Sequence, residues 1–263
     1  MKSLLSILLV AIVICSCNKE TDQVSEGSKA KLTVGNFILN GFPINASVSG
    51  QLITAQPVSF GNFSGSQTNP YTLFIPGFSN IKLSPANQDT NLLGSKSNFV
   101  FGTASAFSFF LFDSIDRATA YVVQDFFAPV DTAAKVRFFN FVPGTNKDSL
   151  TVYLIRHMLI GNRLDTVNLT KWLTNTSNKP NQLSRVYQGI DDIDYSGFNT
   201  NVYADTAYHV HIYHNKTELI DSSQTIAIKV SSQYSFFAIG SYYYKNFTDP
   251  ALYKPTIKVI KNY

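Results

Sequence analysis

Beyond residue 17 the chain contains no cysteine; its two, Cys15 and Cys17, both sit near the N-terminus. A body without thiols builds no disulfide, no thiolate zinc site and no cysteine nucleophile. Glutamate is almost as scarce, with Glu20, Glu26 and Glu218 the three in the chain. A carboxylate pair for glycoside hydrolysis would therefore have to rely on aspartates. Histidine is missing from the first half, since His157, His209, His211 and His214 are the four present. A serine–histidine–aspartate triad cannot be assembled there. Gly61-Asn62-Phe63-Ser64-Gly65 is no Gly-x-Ser-x-Gly elbow, because Ser64 adjoins the second glycine. Charge runs are lacking too. The 21 basic and 17 acidic residues are not gathered into blocks, which excludes a nucleic-acid footprint.

The one long apolar stretch opens the chain. Met1-Lys2-Ser3 is a short basic start, and residues 4–14 are apolar except for Ser6. That run is too short to span a bilayer, which takes about 20 apolar residues. Ile14-Cys15-Ser16-Cys17 then resembles the lipobox of bacterial lipoprotein precursors. Cys17 follows the small Ser16, whereas Cys15 follows the bulky Ile14, so Cys17 is the expected site of lipidation. The expectation is a signal peptide over 1–16, cut before Cys17, and a polar tether over 17–29. Loss of Lys2 with the peptide lowers the formal charge of +4 by one. The likeness to bacterial lipoproteins implies several acyl chains on Cys17, which anchor firmly where one does so marginally. Asn18-Lys19-Glu20 is not the aspartate-led start that retains some lipoproteins at an inner membrane, so the outer membrane is expected, on its periplasmic face or at the cell surface.

The body is rich in aromatics, with 21 Phe and 14 Tyr against one Trp. Such residues, with plentiful Thr, Val and Ile, suit a pleated, half-buried surface. A repeat organises them. Ala30-Lys31-Leu32-Thr33-Val34-Gly35-Asn36-Phe37 returns as Ala134-Lys135-Val136-Arg137-Phe138-Phe139-Asn140-Phe141, and Ala104-Ser105-Ala106-Phe107-Ser108-Phe109-Phe110 returns as Ser231-Ser232-Gln233-Tyr234-Ser235-Phe236-Phe237. Two matches in one order indicate a tandem duplication. Apolar alternation in the first block predicts strands with one face inward. Strands are predicted over 32–39, 45–48, 56–60, 71–75, 81–84, 98–103, 107–113 and 120–124, then 135–141, 150–155, 184–188, 208–214, 225–230, 234–241 and 256–260. Residues 156–181 read as an insertion whose Val167-Asn168-Leu169-Thr170-Lys171-Trp172-Leu173 is a short helix or an irregular loop. The fold expected is all-β: two tandem immunoglobulin-like antiparallel β-sandwich domains, 30–133 and 134–263.

The run Ala134 to Pro143, followed by Leu150-Thr151-Val152-Tyr153-Leu154, resembles the opening of the family called domain of unknown function 4397. Its members open on an alanine, valine, arginine, asparagine and proline pattern and then carry a Val-Tyr strand. Tyr71-Thr72-Leu73-Phe74-Ile75-Pro76-Gly77 is similar to the family's later Tyr-to-Gly stretch. The first half departs from the pattern, with Thr33 in place of the arginine and no proline directly after. The resemblance implies extracytoplasmic β-sandwich modules, often on lipoproteins, and no activity.

Candidate sites are few. In His209-Val210-His211 a strand points both imidazoles to one face, within reach of one metal ion, while Val210 and Ile212 face the core. Asp192-Ile193-Asp194-Tyr195-Ser196-Gly197 matches the first half of a calcium loop, but the closing position holds Tyr203 where a bidentate glutamate belongs. A solvated histidine face and an acidic loop explain both patterns without metal, and no cofactor is expected. Phe107, Phe109, Phe110, Phe236 and Phe237 are expected in the core. Tyr242, Tyr243 and Tyr244 cannot all face inward in an extended chain, so at least one ring should be exposed or at a domain boundary. With Trp172 they are the candidate contacts to a glycan or protein ligand. The function expected is a non-catalytic binding or adhesion module held to a membrane by its lipid. The alternatives are an accessory subunit of an outer-membrane complex and a hydrolase relying on aspartates.

Overall fold

The computed structural model describes residues 28–66, 69–92, 98–127, 133–144, 149–160, 163–168, 184–186, 200–202, 206–215 and 218–263. In the first half the strands are β1 (Ala30–Leu39), β2 (Ile44–Val48), β3 (Gln51–Leu52), β4 (Asn62–Phe63), β5 (Thr72–Phe74), β6 (Gly77–Pro85), β7 (Asn98–Phe101), β8 (Ala106–Ser114) and β9 (Thr119–Asp125). The second half holds β10 (Ala134–Asn140), β11 (Ser149–Ile160), β12 (Arg163–Asn168), β13 (Ser184–Val186), β14 (Thr200–Val202), β15 (Thr206–His214), β16 (Glu218–Ile228), β17 (Gln233–Ile239) and β18 (Thr256–Lys261), with the short helix α1 (Pro250–Tyr253) before the last strand. The chain is all-β in character, as its composition leads one to expect.

Four sheets result. In the first half an outer sheet of order β3-β2-β6-β7 faces an inner sheet of order β4-β1-β8-β9, with β5 also on β1. In the second half the inner sheet is β14-β10-β17-β18 and the outer is β12-β11-β15-β16, with β13 also on β11. Among the described residues the pairings are antiparallel except for one parallel pair in each half, β1 with β8 and β10 with β17. The blocks that repeat in the sequence are these paired strands, and their register is the same. Thr33 lies opposite Ser108, and at the corresponding place Arg137 lies opposite Ser235.

Three apolar clusters hold the stack together. Leu32, Val34, Ile44, Ala46, Ile81, Leu83, Phe107 and Phe109 fill the space between the two sheets of the first half. Val136, Phe138, Val152, Leu154, Val210, Ile212, Tyr234 and Phe236 do the same in the second. The third cluster lies between the inner sheets, built from Phe37, Phe110 and Phe112 of one half and Phe139, Phe141 and Phe237 of the other. Phe37 stacks on Phe141 at 5.2 Å, and Phe110 meets Phe237 edge-on at 5.1 Å. Each buried ring contributes roughly 2–3 kcal/mol by its removal from water.

The inner strands therefore differ from the expectation of a single inward face. β1, β8, β10 and β17 are buried on both sides. One parity, Leu32 and Val34, enters the sandwich; the other, Gly35 and Phe37, enters the space between the halves. A strand covered twice becomes nearly continuous in apolar residues, and the run Phe107 to Phe112 has that character. Two further differences concern element assignment. The stretch predicted as a strand over 56–60 makes an isolated bridge, Val58 to Ile44, and the Asn36 amide also donates to the Val58 carbonyl at 2.8 Å. The start of the predicted insertion is a hairpin, since β11 runs on to Ile160 and pairs with β12 from Ile155–Asn168 to Ile160–Arg163.

The strands run alike in both halves, which gives the stack two ends. At the proximal end lie Lys29, the start of β1 and the end of β18. At the distal end lie the residues after β17. The polar part of the interface is proximal: Arg137 Nη1 is 2.6 Å from Asp125 Oδ1, and its Nε donates to Ser235 Oγ at 2.6 Å. Ser108 donates to Asp125 Oδ2, and Ser235 to Asn262 Oδ1. Tyr71 donates to Asp125 and accepts from the Asn262 amide, both at 2.8 Å. Burial, and next the Asp125 carboxylate, push the Tyr71 phenol far above its ordinary pKa.

Candidate functional site

The distal end carries a cleft of about 520 Å³ lined by Glu218, Tyr242, Tyr243, Tyr244, Lys245 and Lys254 among others. That volume lies in the usual range for small-ligand sites, about 300–1,000 Å³. Its shape comes from the way the chain leaves β17. Gly240 sits at φ +106°, where a Cβ would come within 2.7 and 2.8 Å of the Tyr253 and Lys254 carbonyl oxygens. Ser241 N–H then donates to Tyr253 O, Tyr242 N–H to Pro143 O, and Tyr244 N–H to Ser241 O. The tyrosine run is therefore a turn entering a 3-10 segment, Tyr244–Asn246, and not the extended chain on which the alternation rule was based.

The three rings take different positions. Tyr243 is exposed, at 59%, and its ring stands edge-on to Tyr242 with centroids 6.1 Å apart. Tyr242 is half-buried against the second-half cluster, and its hydroxyl donates to Glu218 Oε2 at 3.1 Å. Tyr244 is half-buried, with Lys245 Nζ 6.0 Å from its centroid. Gly144, at φ +95°, makes room for the run, since a Cβ there would approach Tyr243 Cε2 to 2.7 Å.

Glu218, the one glutamate outside the N-terminal segment, is drawn into a small polar cluster. His214 Nδ1 lies 3.1 Å from the same Oε2, and its ring is 5.0 Å from that of Tyr242. The His214 contact first, and then the Tyr242 hydroxyl, hold the Glu218 carboxyl below its ordinary pKa. The cleft thus offers one anionic acceptor, two ammonium donors and an open aromatic face. Single carboxylates of this kind orient hydroxyl groups. A glycosidase needs two across the bond that breaks.

His209 and His211 sit on β15 as the alternation predicts, half-buried on the outer face while Val210 and Ile212 are fully buried. His209 Nδ1 is 3.2 Å from Thr225 Oγ1, and the His211 ring stacks with Tyr213 at 6.3 Å. Among the described residues no three His, Cys, Asp or Glu side chains converge on a metal position. Cys17, Trp172, Asp192 and Asp194 lie outside the described residues. The sequence reading singled out the tyrosines as candidate contacts, and it did not single out Glu218, Lys245 or Lys254, which line the same cleft. His214 lies on the opposite parity of β15 from His209 and His211, which is the signal in the sequence that it faces other neighbours.

No protein-family model and no curated protein matches the chain. Among solved structures it is similar to the crystal structure of CBMbc (family CBM26) from Eubacterium rectale Amy13K in complex with maltoheptaose, at 11% identity and a TM-score of 0.23 over 87% of this chain and 96% of that one. A superposition that loose carries no argument about ligand or activity here.

Proposed function

We propose that the chain is an extracytoplasmic lipoprotein of two tandem β-sandwich domains, anchored through Cys17 at an outer membrane, whose distal tyrosine cleft binds a saccharide without catalysis. The observation that carries this reading is the exposed Tyr243 ring beside Glu218, Lys245 and Lys254. The apolar face of a sugar ring stacks on such an aromatic surface, and its hydroxyls pair with the surrounding charged groups. The cleft also lies at the far end from Lys29, where the tether enters. β17 alone separates the two ends by roughly 20 Å. The lipobox and the polar tether support the address, and the resemblance of residues 134–154 to domain of unknown function 4397 supports the body plan.

A hydrolase relying on aspartates fits less well. Asp125 is paired with Arg137, Asp221 accepts from Thr256 and Ile257, and Asp249 caps α1 through Leu252 N–H. Those carboxylates are committed to structure. One observation favours an accessory role beside ligand binding: Phe78 and Val100, opposite each other on β6 and β7, are each 76% exposed. The test is a glycan array probed with wild type and Tyr243→Ala. The reading holds if a glycan signal falls at least tenfold in the variant, and fails if no glycan binds or if both proteins bind alike.

A further inference from the structure

At the opposite, proximal end a second cleft of about 530 Å³ opens on the seam between the two halves. Lys29, Lys31 and Tyr71 come from the first half, Asn262 and Tyr263 from the end of the second, and Phe127 closes the side. Phe127 stacks on Tyr263 at 5.4 Å and meets Tyr71 edge-on at 5.8 Å. Beneath them the Asp125 carboxylate is matched by Arg137. The two lysines are not so matched: among the described residues neither is in an ion pair. Tyr263 is 53% exposed, and Phe126, the chain neighbour of the lining residue Phe127, is 67% exposed.

Cationic side chains and half-exposed aromatic rings together are the composition of surfaces that sit at a bilayer's headgroup level. The position along the chain agrees. Lys29 lines the cleft, and eleven residues, 18–28, separate it from Cys17. They span at most about 40 Å when fully extended. A lipid on Cys17 therefore makes this end of the stack the one nearest its anchor along the chain.

We propose that the seam cleft is a membrane-docking surface, in which Lys29 and Lys31 receive the phosphate of an anionic phospholipid headgroup while Phe126 and Tyr263 enter the interface. The occupant is the leaflet that carries the anchor, so this inference rests on the lipoprotein reading. Docking there would orient the stack on its end and present the tyrosine cleft outward. It would also touch Tyr71 and Asn262, the two residues of the buried network that reach the cleft.

The test uses the acylated protein in phosphatidylcholine vesicles with and without phosphatidylglycerol. Phe126→Trp in a Trp172→Phe background supplies one reporter at an exposed position, read against brominated acyl chains. The reporter is expected to be quenched severalfold more when phosphatidylglycerol is present. Lys31→Ala should lower the ratio of docked to undocked molecules about fivefold, and Lys29→Ala similarly, as follows from the pull of an anionic surface on each lysine. An unquenched reporter in both vesicles, on protein shown by mass spectrometry to be acylated at Cys17, overturns docking and leaves the anchor standing. Mass spectrometry finding no acyl chain on Cys17 sinks the anchor, and quenching of that same protein keeps the docking surface. Displacement by soluble glycerol phosphate supports the headgroup site, whereas quenching that is equal in the two vesicles and unchanged in both lysine variants overturns it.

Discussion

The two halves of the chain can be laid over each other strand by strand, and the informative positions are those where they disagree. Asn36 and Asn140 occupy one place in β1 and β10, and each accepts the backbone N–H two residues on, at 3.1 and 3.0 Å. Phe37 and Phe141 correspond, as do Phe110 and Phe237, and they meet each other across the seam. Thr33 and Arg137 occupy one place as well, but one is neutral and the other charged. Asp125 and Asn262 stand in the same relation near the ends of β9 and β18. An interface between like surfaces would serve two identical copies equally well. The single Arg137–Asp125 pair makes it unequal, and it tells the first half apart from the second.

Arg137→Thr copies the first half's residue into the second and leaves Asp125 buried with its charge unmatched. The expected loss is about 3–5 kcal/mol of unfolding free energy, measured in urea. Adding Asp125→Asn, which makes the halves alike at both places, should recover much of that loss. Recovery without a change of oligomeric state would show that the charge pair is dispensable for pairing the halves. A new dimer in size-exclusion chromatography would show that it keeps copies apart.

Phe237→Ala and Phe110→Ala remove corresponding rings from the shared cluster. Each should cost about 3–4 kcal/mol, with unequal values revealing which half depends more on the seam. Gly240→Ala forces a side chain into φ +106° against two carbonyl oxygens, for a loss above about 1 kcal/mol and a disordered tyrosine cleft. The smallest effect is on pH dependence. Because the folded Glu218 pKa is depressed, its contribution is present above the unfolded carboxyl value, about 4.3, and lost as pH falls through the folded value. Wild type and Glu218→Gln should differ in Tm at neutral pH and converge in acid.

The repeat was legible because the same apolar alternation recurs in the blocks that pair with each other. What those blocks conceal is the second buried face. Gly35 and Ser108 look like solvent positions, and their environment is set by a sheet more than 100 residues away in the sequence. β3 and β4, of two residues each, are too short to carry a period. At the distal cleft the tyrosines were visible as residues, but their turn depends on Gly240 meeting the chain after α1. The meeting of His214, Glu218 and Tyr242 depends on the β15–β16 hairpin and on the bend that follows β17. Neither leaves a mark in local composition.

The parallel pairing inside each half has a consequence for how the protein is made. β1 cannot complete its sheet until β8 has emerged, and β10 waits in the same way for β17. Closing such long loops before any reward from contacts slows folding. Until then β1 presents a row of free backbone groups and apolar side chains. Slow refolding, and a refolded yield that falls as protein concentration rises, are the behaviour this topology calls for.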